Sequence, residues 1–264
     1  MYYITTDKIM NDIIFYEQPL NERMRSFLRL EHLFKQAAYT LRGYSIWDSR
    51  STLTSITSIL DLLARNDLKT ELLKELERQE KTLSALSDLA GVDKEQLNNI
   101  LKQIETSQQN ILDFNGQLGQ DIRDHELLNS LRQRSSIVGG TCDFDIPYLH
   151  YWLQQPPEYR IEKLEAWLEK LEIISHPISL VLDIIRESSS PIKVTAEKGF
   201  YQQNIDSNSP VQLIRVGLTR ESEYFPEISA GKQRFSVRFM LHKDAERAIQ
   251  TSDDINFQLI CCAL

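Results

Sequence analysis

The stretch LRQRSSIVGGTCDFDIPYLHYWL, residues 131–153, contains the residue types that most readily carry out chemistry. Cys142 precedes His150, with Asp143 and Asp145 between them. A Cys/His nucleophile pair needs both side chains within hydrogen-bond reach and a third group that orients the base. Nothing in the sequence places Cys142 at a helix N-terminus or on a strained turn, where its pKa would fall. A cysteine hydrolase that uses Cys142 and His150 is therefore kept only as an alternative to a binding function.

The same stretch contains Gly139-Gly140, which raises the possibility of a phosphate site. Phosphate loops usually run into a helix with a Gly-Lys-Ser/Thr sequence, which does not follow here. A metal site is also disfavoured, because the five histidines are scattered and Cys261-Cys262 lack the spacing by which two thiolates reach one ion. We therefore expect a turn at Gly139-Gly140, and no catalytic residue, metal or cofactor.

Arginine residues offer a different kind of chemistry. Three pairs share a face or a helix end: Arg25 and Arg29, Arg132 and Arg134, and Arg234 and Arg238. The chain has 30 Lys plus Arg against 38 Asp plus Glu, a net charge of −8, which disfavours broad nucleic-acid binding. Arginine binds carboxylates in a bidentate manner, so the pairs favour an acidic peptide as ligand. A nucleic-acid-binding module remains a second alternative.

Helical periodicity dominates the first two thirds of the chain. Apolar residues recur at helical spacing over residues 22–42, after Asn21 as a predicted cap. Further helices are predicted at 50–65, 70–90, 94–114, 124–134, 158–172 and 177–187. The two helices at 70–90 and 94–114 have polar outer faces and short connections, which is typical of a long antiparallel hairpin.

After Pro191 the apolar residues alternate, which is typical of strands. Strands are predicted at 193–202, 211–218, 233–241 and 255–259, and IIFYEQPL at 13–20 is expected to join them. The predicted fold is α+β, with a predominantly helical domain that contains the hairpin and a small antiparallel β-sheet domain. We expect an N-terminal extension at 1–12, a strand at 13–20 that joins the β domain, a helical domain at 21–190 and the β domain at 191–264.

Cysteine use and hydropathy predict the compartment. Three cysteines without regular spacing fit a reducing environment, and the N-terminus lacks the pattern of a signal peptide. The most apolar stretch, IISHPISLVLDII at 173–185, is too short to span a bilayer. A cytoplasmic protein without membrane insertion is predicted.

Six longer segments resemble the ZapD family of bacterial cell division proteins. They are FYEQPLNERMRSFLRLEHLF (15–34), LKTELLKELERQ (68–79), the opening stretch (131–153), SLVLDIIRES (179–188), GFYQ (199–202) and YFPEISAGKQRFSVRFM (224–240). Together they extend over about residues 13–262, and residues 1–12 lie outside the resemblance.

The resemblance implies a non-enzymatic cell division factor that forms a homodimer through its helical part. It also implies binding to the C-terminal peptide of FtsZ, the tubulin-like division GTPase. Such a dimer would crosslink FtsZ filaments into bundles, promote Z-ring assembly for septation and be recruited to midcell.

The family's basic binding surface maps onto five residues of this chain: Arg29, Arg65, His150, Arg234 and Arg238. Their shared faces and helix ends add Arg25, Lys69, Arg132 and Arg134 as neighbours. Relatives can have an arginine where this chain has Glu126. Arg123 lies one turn earlier on the same predicted helical face, where it can compensate. The eight arginines and His150 form the predicted site for the FtsZ peptide.

Overall fold

The computed structural model describes residues 12–65, 67–87, 89, 91–206, 211–231, 233–242 and 247–264. The extension predicted at 1–12 lies outside the described residues except for Asp12. The side chain of Arg65 is also outside the description, although its backbone belongs to a helix.

The described residues form helices in the first part of the chain and strands mainly in the second. The helices are α1 (Glu22–Thr40), α2 (Ile46–Arg65), α3 (Leu68–Ser84), α4 (Lys94–Asp113), α5 (Gln120–Arg123), α6 (Glu126–Arg134), α7 (Pro147–Leu153), α8 (Pro157–Glu169) and α9 (Glu172–Glu187). The strands are β1 (Ile13–Pro19), β2 (Ile192–Ala196), β3 (Phe200–Asn204), β4 (Val211–Thr219), β5 (Tyr224–Ala230), β6 (Arg234–Leu241), β7 (Ile249–Gln250) and β8 (Ile255–Ala263). This architecture confirms the predicted α+β class.

The chain divides into two compact units. One is helical and comprises Ser26–Leu182, and the other comprises Asp183–Leu264 together with the described residues of Met1–Arg25. The predicted domain boundaries and the helical dimer interface stay predictions.

The predicted hairpin is present in the helical unit. Glu80 of α3 accepts a hydrogen bond of 2.9 Å from the amide of Gln108 in α4. Nearer the start of α3, the Lys69 ammonium donates to the Phe114 carbonyl just beyond α4 at 2.8 Å. The start of α3 therefore lies beside the end of α4, and the later part of α3 lies beside an earlier part of α4. The two helices are antiparallel. Each helix buries one leucine- or isoleucine-rich stripe: Leu72, Leu76, Leu83, Leu97, Ile104 and Ile111.

Side-chain caps define where several helices begin. The Asn21 carboxamide oxygen accepts from the Met24 backbone N–H at 2.8 Å, which confirms the predicted cap of α1. The start predicted at residue 50 for α2 was too late. Ser45 and Asp48 hydrogen-bond each other's backbone N–H groups at 3.0 Å, and this reciprocal capping box starts the helix at Ile46.

Three other helix predictions were wrong in their bounds. The helix predicted at 70–90 ends at Ser84. The helix predicted at 124–134 begins two residues later, at Glu126, and the short helix α5 before it was not predicted. The helix predicted to begin at Pro177 begins at Glu172 and contains the proline in its interior. Proline removes one helical hydrogen bond. Burial of the isoleucine stripe on both sides of it, at Ile174 and Ile178, outweighs that loss.

The sheet-containing unit is a two-layer β-sandwich. One sheet has the strand order β1-β4-β8-β2, and the other has the order β3-β6-β5 with β7 also paired to β6. Phe239 of the second sheet and Phe257 of the first have ring centroids 5.0 Å apart, so the two sheets share a core. In the first sheet, β1 pairs antiparallel with β4.

The single strand predicted at 193–202 is in fact two strands in different sheets. Gly199 turns the chain between them at φ +69°, where an added Cβ would lie 2.6 Å from the Thr251 carbonyl oxygen. Two strands, β5 and β7, were not predicted. Pro226 breaks the strand signal of β5, and β7 is only two residues long.

Candidate functional site

The clearest basic surface lies on β6, in the sheet-containing unit. Phe235, Val237 and Phe239 are buried in the sandwich core, and alternation along the strand turns Arg234 and Arg238 outward. Four residues of strand separate these two arginines by about 13 Å. Among the described residues, neither guanidinium has an acidic group within ion-pair distance. We call these two residues the β6 arginine pair.

Neighbouring strands surround the β6 arginine pair with apolar and amide groups. On β3, Phe200 lies directly opposite Arg238, and Asn204 lies opposite Arg234. Phe200 is 38% exposed although it is aromatic. On β5, Glu227 lies opposite Arg238 and is the nearest acidic residue by register. This face can bind a carboxylate through a guanidinium and an apolar group through Phe200.

Arg25 and Arg29 both lie in α1, but their side chains differ. Arg25 forms a partly exposed ion pair with Glu22, one turn earlier. Exposed pairs of this kind contribute little stability, about 0–1 kcal/mol, so Arg25 is still available to a ligand. Arg29 is exposed and has no ion pair within the described part of the chain.

Arg132 and Arg134 of α6, which we call the α6 arginine pair, are both held by carboxylates of the helical unit. Arg132 Nε donates to Asp61 of α2 at 2.9 Å, and Arg134 Nη1 donates to Asp145 at 2.8 Å. Only 18% of the Arg132 side chain is exposed. These contacts attach α6 to α2 and to the loop before α7, so a structural role accounts for both arginines.

Arg123 lies beside Arg132 with an incomplete set of partners. Its Nη1 donates to Gln120 at 3.3 Å, whereas Nε and Nη2 are buried without a hydrogen-bond partner in the described structure. Burial lowers the pKa of Arg123, and the positive charge of Arg132 lowers it further, while Asp124 and Asp61 oppose the shift. Arg123 forms no ion pair with Glu126 among the described contacts. An anion that reached this guanidinium would satisfy it.

His150 belongs to a hydrogen-bonded corner that the sequence did not reveal. Its Nδ1 lies 3.0 Å from Asp143, and Arg50 of α2 reaches the same carboxylate at 3.4 Å. Arg50 also donates to the Thr141 carbonyl at 3.0 Å and lies 5.6 Å from the Trp47 ring centroid. Arg50 was missed because its partners are 91 or more residues away along the chain.

The opening stretch is shaped as a turn, as predicted. Gly139 has φ +70°, and an added Cβ on Gly140 would lie 2.6 Å from the Cβ of Ile137. Cys142 is exposed, and no hydrogen bond joins it to His150 in the described part of the chain. The geometry of a Cys/His nucleophile pair is therefore not found at this turn.

The predicted site residues fall into separate groups. Arg25, Arg234 and Arg238 belong to the sheet-containing unit, and Arg29, Arg65, Arg123, Arg132, Arg134 and His150 belong to the helical unit. Within the helical unit the structure brings Arg123 and Arg132 together near Asp61. Arg134 of α6 and His150 of α7 both contact the loop between these helices, through Asp145 and Asp143. In the described residues we find no cluster of potential metal ligands and no helix long and apolar enough to cross a membrane.

Fold and surface together define an α+β protein whose candidate site is a set of arginines suited to acidic ligands. The chain belongs to the ZapD family of cell division proteins, because the family model, described as cell division protein, matches residues 28–238. It is 43% identical to the cell division protein ZapD of Methylococcus capsulatus, over 97% of this chain and 100% of that protein. It is 37% identical to the cell division protein ZapD of Klebsiella pneumoniae, over 96% of this chain and 100% of that protein.

Proposed function

We propose that this protein is a non-enzymatic, homodimeric crosslinker of FtsZ filaments. It binds the C-terminal peptide of FtsZ through basic residues, bundles the filaments and promotes Z-ring assembly. It acts in the cytoplasm and is recruited to the division site at midcell. Membership of the ZapD family supports the cell-division role.

The β6 arginine pair is the observation that carries this proposal. Two exposed guanidinium groups without carboxylate partners among the described residues stand out in a chain of net charge −8. Guanidinium groups bind carboxylates with two parallel hydrogen bonds, so an acidic peptide recovers interactions that this protein leaves unused. Such binding weakens as salt screens the charges.

The other predicted residues differ in how readily they can contribute. Arg29 is exposed and can bind a carboxylate directly. Arg123 has two guanidinium nitrogens without a hydrogen-bond partner in the described structure. Arg132, Arg134 and His150 would have to share or exchange an existing carboxylate partner. We therefore assign the main binding energy to Arg234 and Arg238, with Arg25, Arg29, Arg65 and Arg123 as supporting cations.

Crosslinking requires two sites in one particle, which a homodimer formed through the helical unit provides. When one site has captured a filament, the second site meets further tails at a high effective concentration. Weak single sites are then sufficient for strong bundling.

The proposal is tested by sedimentation of GTP-assembled FtsZ from the same organism with this protein. Full-length FtsZ is compared with FtsZ that lacks its C-terminal tail. Co-pelleting and bundling only with full-length FtsZ are expected. Equal pelleting with both forms would move the site away from the tail, and no pelleting with either would refute the proposed partner.

A further inference from the structure

Strand β3 forms one edge of the three-stranded sheet and borders the β6 arginine pair. In the part of the chain that the structure describes, β3 pairs along its length with β6 and with no strand on its other side. An edge strand presents backbone N–H and C=O groups that can pair with another chain.

The hydrogen-bond pattern shows which backbone groups face outward. Phe239 N–H donates to the Gly199 carbonyl at 2.8 Å, and Ile205 N–H donates to the Gln233 carbonyl at 2.8 Å. In an antiparallel pair, hydrogen-bonded and non-hydrogen-bonded positions alternate. The backbone groups of Gln202 and Asn204 therefore point away from β6. These two successive outward positions can form the first hydrogen bonds to an added strand.

The opposite edge of the same sheet is protected. Just beyond β5, Gly231 N–H donates to the Arg234 carbonyl at 2.9 Å, so every second residue back from Gly231 is hydrogen-bonded to β6. Pro226 lies at one of the intervening positions, where a backbone N–H would point outward. Proline has no N–H to donate and is a common guard of sheet edges. Strand β3, with the sequence FYQQN, contains no proline.

Charge indicates which chain the edge accepts. Phe200, Gln202 and Asn204 are exposed on the same face of the sheet as Arg234 and Arg238. A strand added beside β3 would lie about 10 Å from β6, two strand spacings away. Arginine side chains extended across β3 would cover much of that distance, and carboxylates on the added strand would cover the remainder. A second copy of β3 fits poorly, because it would bring another arginine pair to this edge.

We propose that an acidic peptide binds in extended form as an added strand along β3, with backbone hydrogen bonds to Gln202 and Asn204 and carboxylates on the β6 arginine pair. The inference rests on the proposed function, since the peptide is the FtsZ tail. Backbone pairing supplies affinity, and the arginines select acidic side chains.

The test uses a fluorescent synthetic FtsZ tail peptide from the same organism and the full-length protein, followed by fluorescence anisotropy. Gln202→Pro removes an outward N–H without removing a bond to β6, and Gln202→Ala keeps that N–H as the matched control. We expect about a tenfold or greater loss of affinity for Gln202→Pro and a change below about threefold for Gln202→Ala. Thermal melting verifies that both variants are folded.

A second measurement leaves the protein unaltered, and decides the matter if Gln202→Pro does not fold. Two tail peptides carry backbone N-methyl groups at every second residue. The first peptide is methylated at the odd-numbered residues of the peptide and the second at the even-numbered ones. Only one of the two peptides should lose binding, because alternate amides of an added strand face β3. Equal loss or equal retention in both peptides would overturn strand addition.

Further outcomes separate this inference from the proposed function. If Arg234→Asp with Arg238→Asp abolishes binding but Gln202→Pro binds within threefold of the native protein, the tail uses the sheet face and strand addition is wrong. If the double arginine variant still binds, the proposed function fails first. If Gln202→Pro lowers the particle mass in sedimentation equilibrium, β3 pairs two copies of this chain, which also overturns the inference.

Discussion

The β6 and α6 arginine pairs show how one residue type can serve two purposes. Arg234 and Arg238 are exposed on a strand and have no acidic partner among the described residues. Arg132 and Arg134 are each bound to a carboxylate of the helical unit. Both pairs look alike in sequence, yet only the first is free for a ligand. Available charge, rather than charge itself, marks a binding surface.

The largest expected effect comes from reversing the β6 arginine pair. Arg234→Asp with Arg238→Asp should abolish FtsZ bundling in the sedimentation assay, because it replaces two attractive contacts with repulsion. The fold should persist, since both side chains are exposed. The matched control, Lys193→Asp with Arg220→Asp, makes the same charge change at exposed positions of the same unit. Equal loss in the control would show that only net charge matters.

Stability should depend on the α6 arginine pair more than on the β6 arginine pair, the reverse of the order expected for binding. Arg132→Ala should lower the free energy of unfolding by about 1–3 kcal/mol, because Asp61 loses its partner in a partly buried place. Arg238→Ala should change it by less than about 0.5 kcal/mol. Urea unfolding measures both, and adding Asp61→Ala completes a double-mutant cycle. A zero coupling energy between Arg132 and Asp61 would contradict the structural role of Arg132.

Arg123 lies between the two arginine pairs in its contacts, because part of its guanidinium is hydrogen-bonded and part is not. Arg123→Gln removes a guanidinium with two unsatisfied buried nitrogens, so it should cost less stability than Arg132→Ala. If the tail reaches this cation, peptide affinity should fall by about two- to fivefold. Anisotropy with the tail peptide and urea unfolding measure the two effects. Strong destabilisation without loss of affinity would place Arg123 with the α6 arginine pair as a structural residue.

The smallest expected effect concerns His125, a partly buried residue of the helical unit. His125 lies against Trp167 with ring centroids 4.9 Å apart, and burial lowers its pKa, while Glu126 opposes that shift. Folding then favours the neutral form, so its contribution to stability is present above the unfolded pKa and is lost as pH falls below it. His125→Gln should flatten the decline in stability between about pH 7 and 5. His32→Gln serves as the control at an exposed position of the same unit, and urea unfolding at several pH values compares the two variants.

Local sequence patterns predicted the elements well where burial was regular. The alternation in QRFSVRFML identified β6 and the outward face of Arg234 and Arg238, because a strand places successive side chains on opposite faces. Helical spacing identified α1, and the carboxamide of Asn21 marked its start. The predictions failed at Pro177 and Pro226, where tertiary burial and sheet pairing overrode the local preference of proline.

The sequence by itself determined the α+β class, the strand that carries the β6 arginine pair and, by resemblance, the family. Only the tertiary structure decided which arginines are already occupied. Asp61 meets Arg132 across 71 residues of chain, and Arg50 meets Thr141 across 91. The outward direction of the Gln202 backbone likewise depends on its register with β6. The physical reason is the same in each case: spacing along the chain encodes local periodicity, whereas ion pairs and sheet edges depend on which distant segments fold against each other.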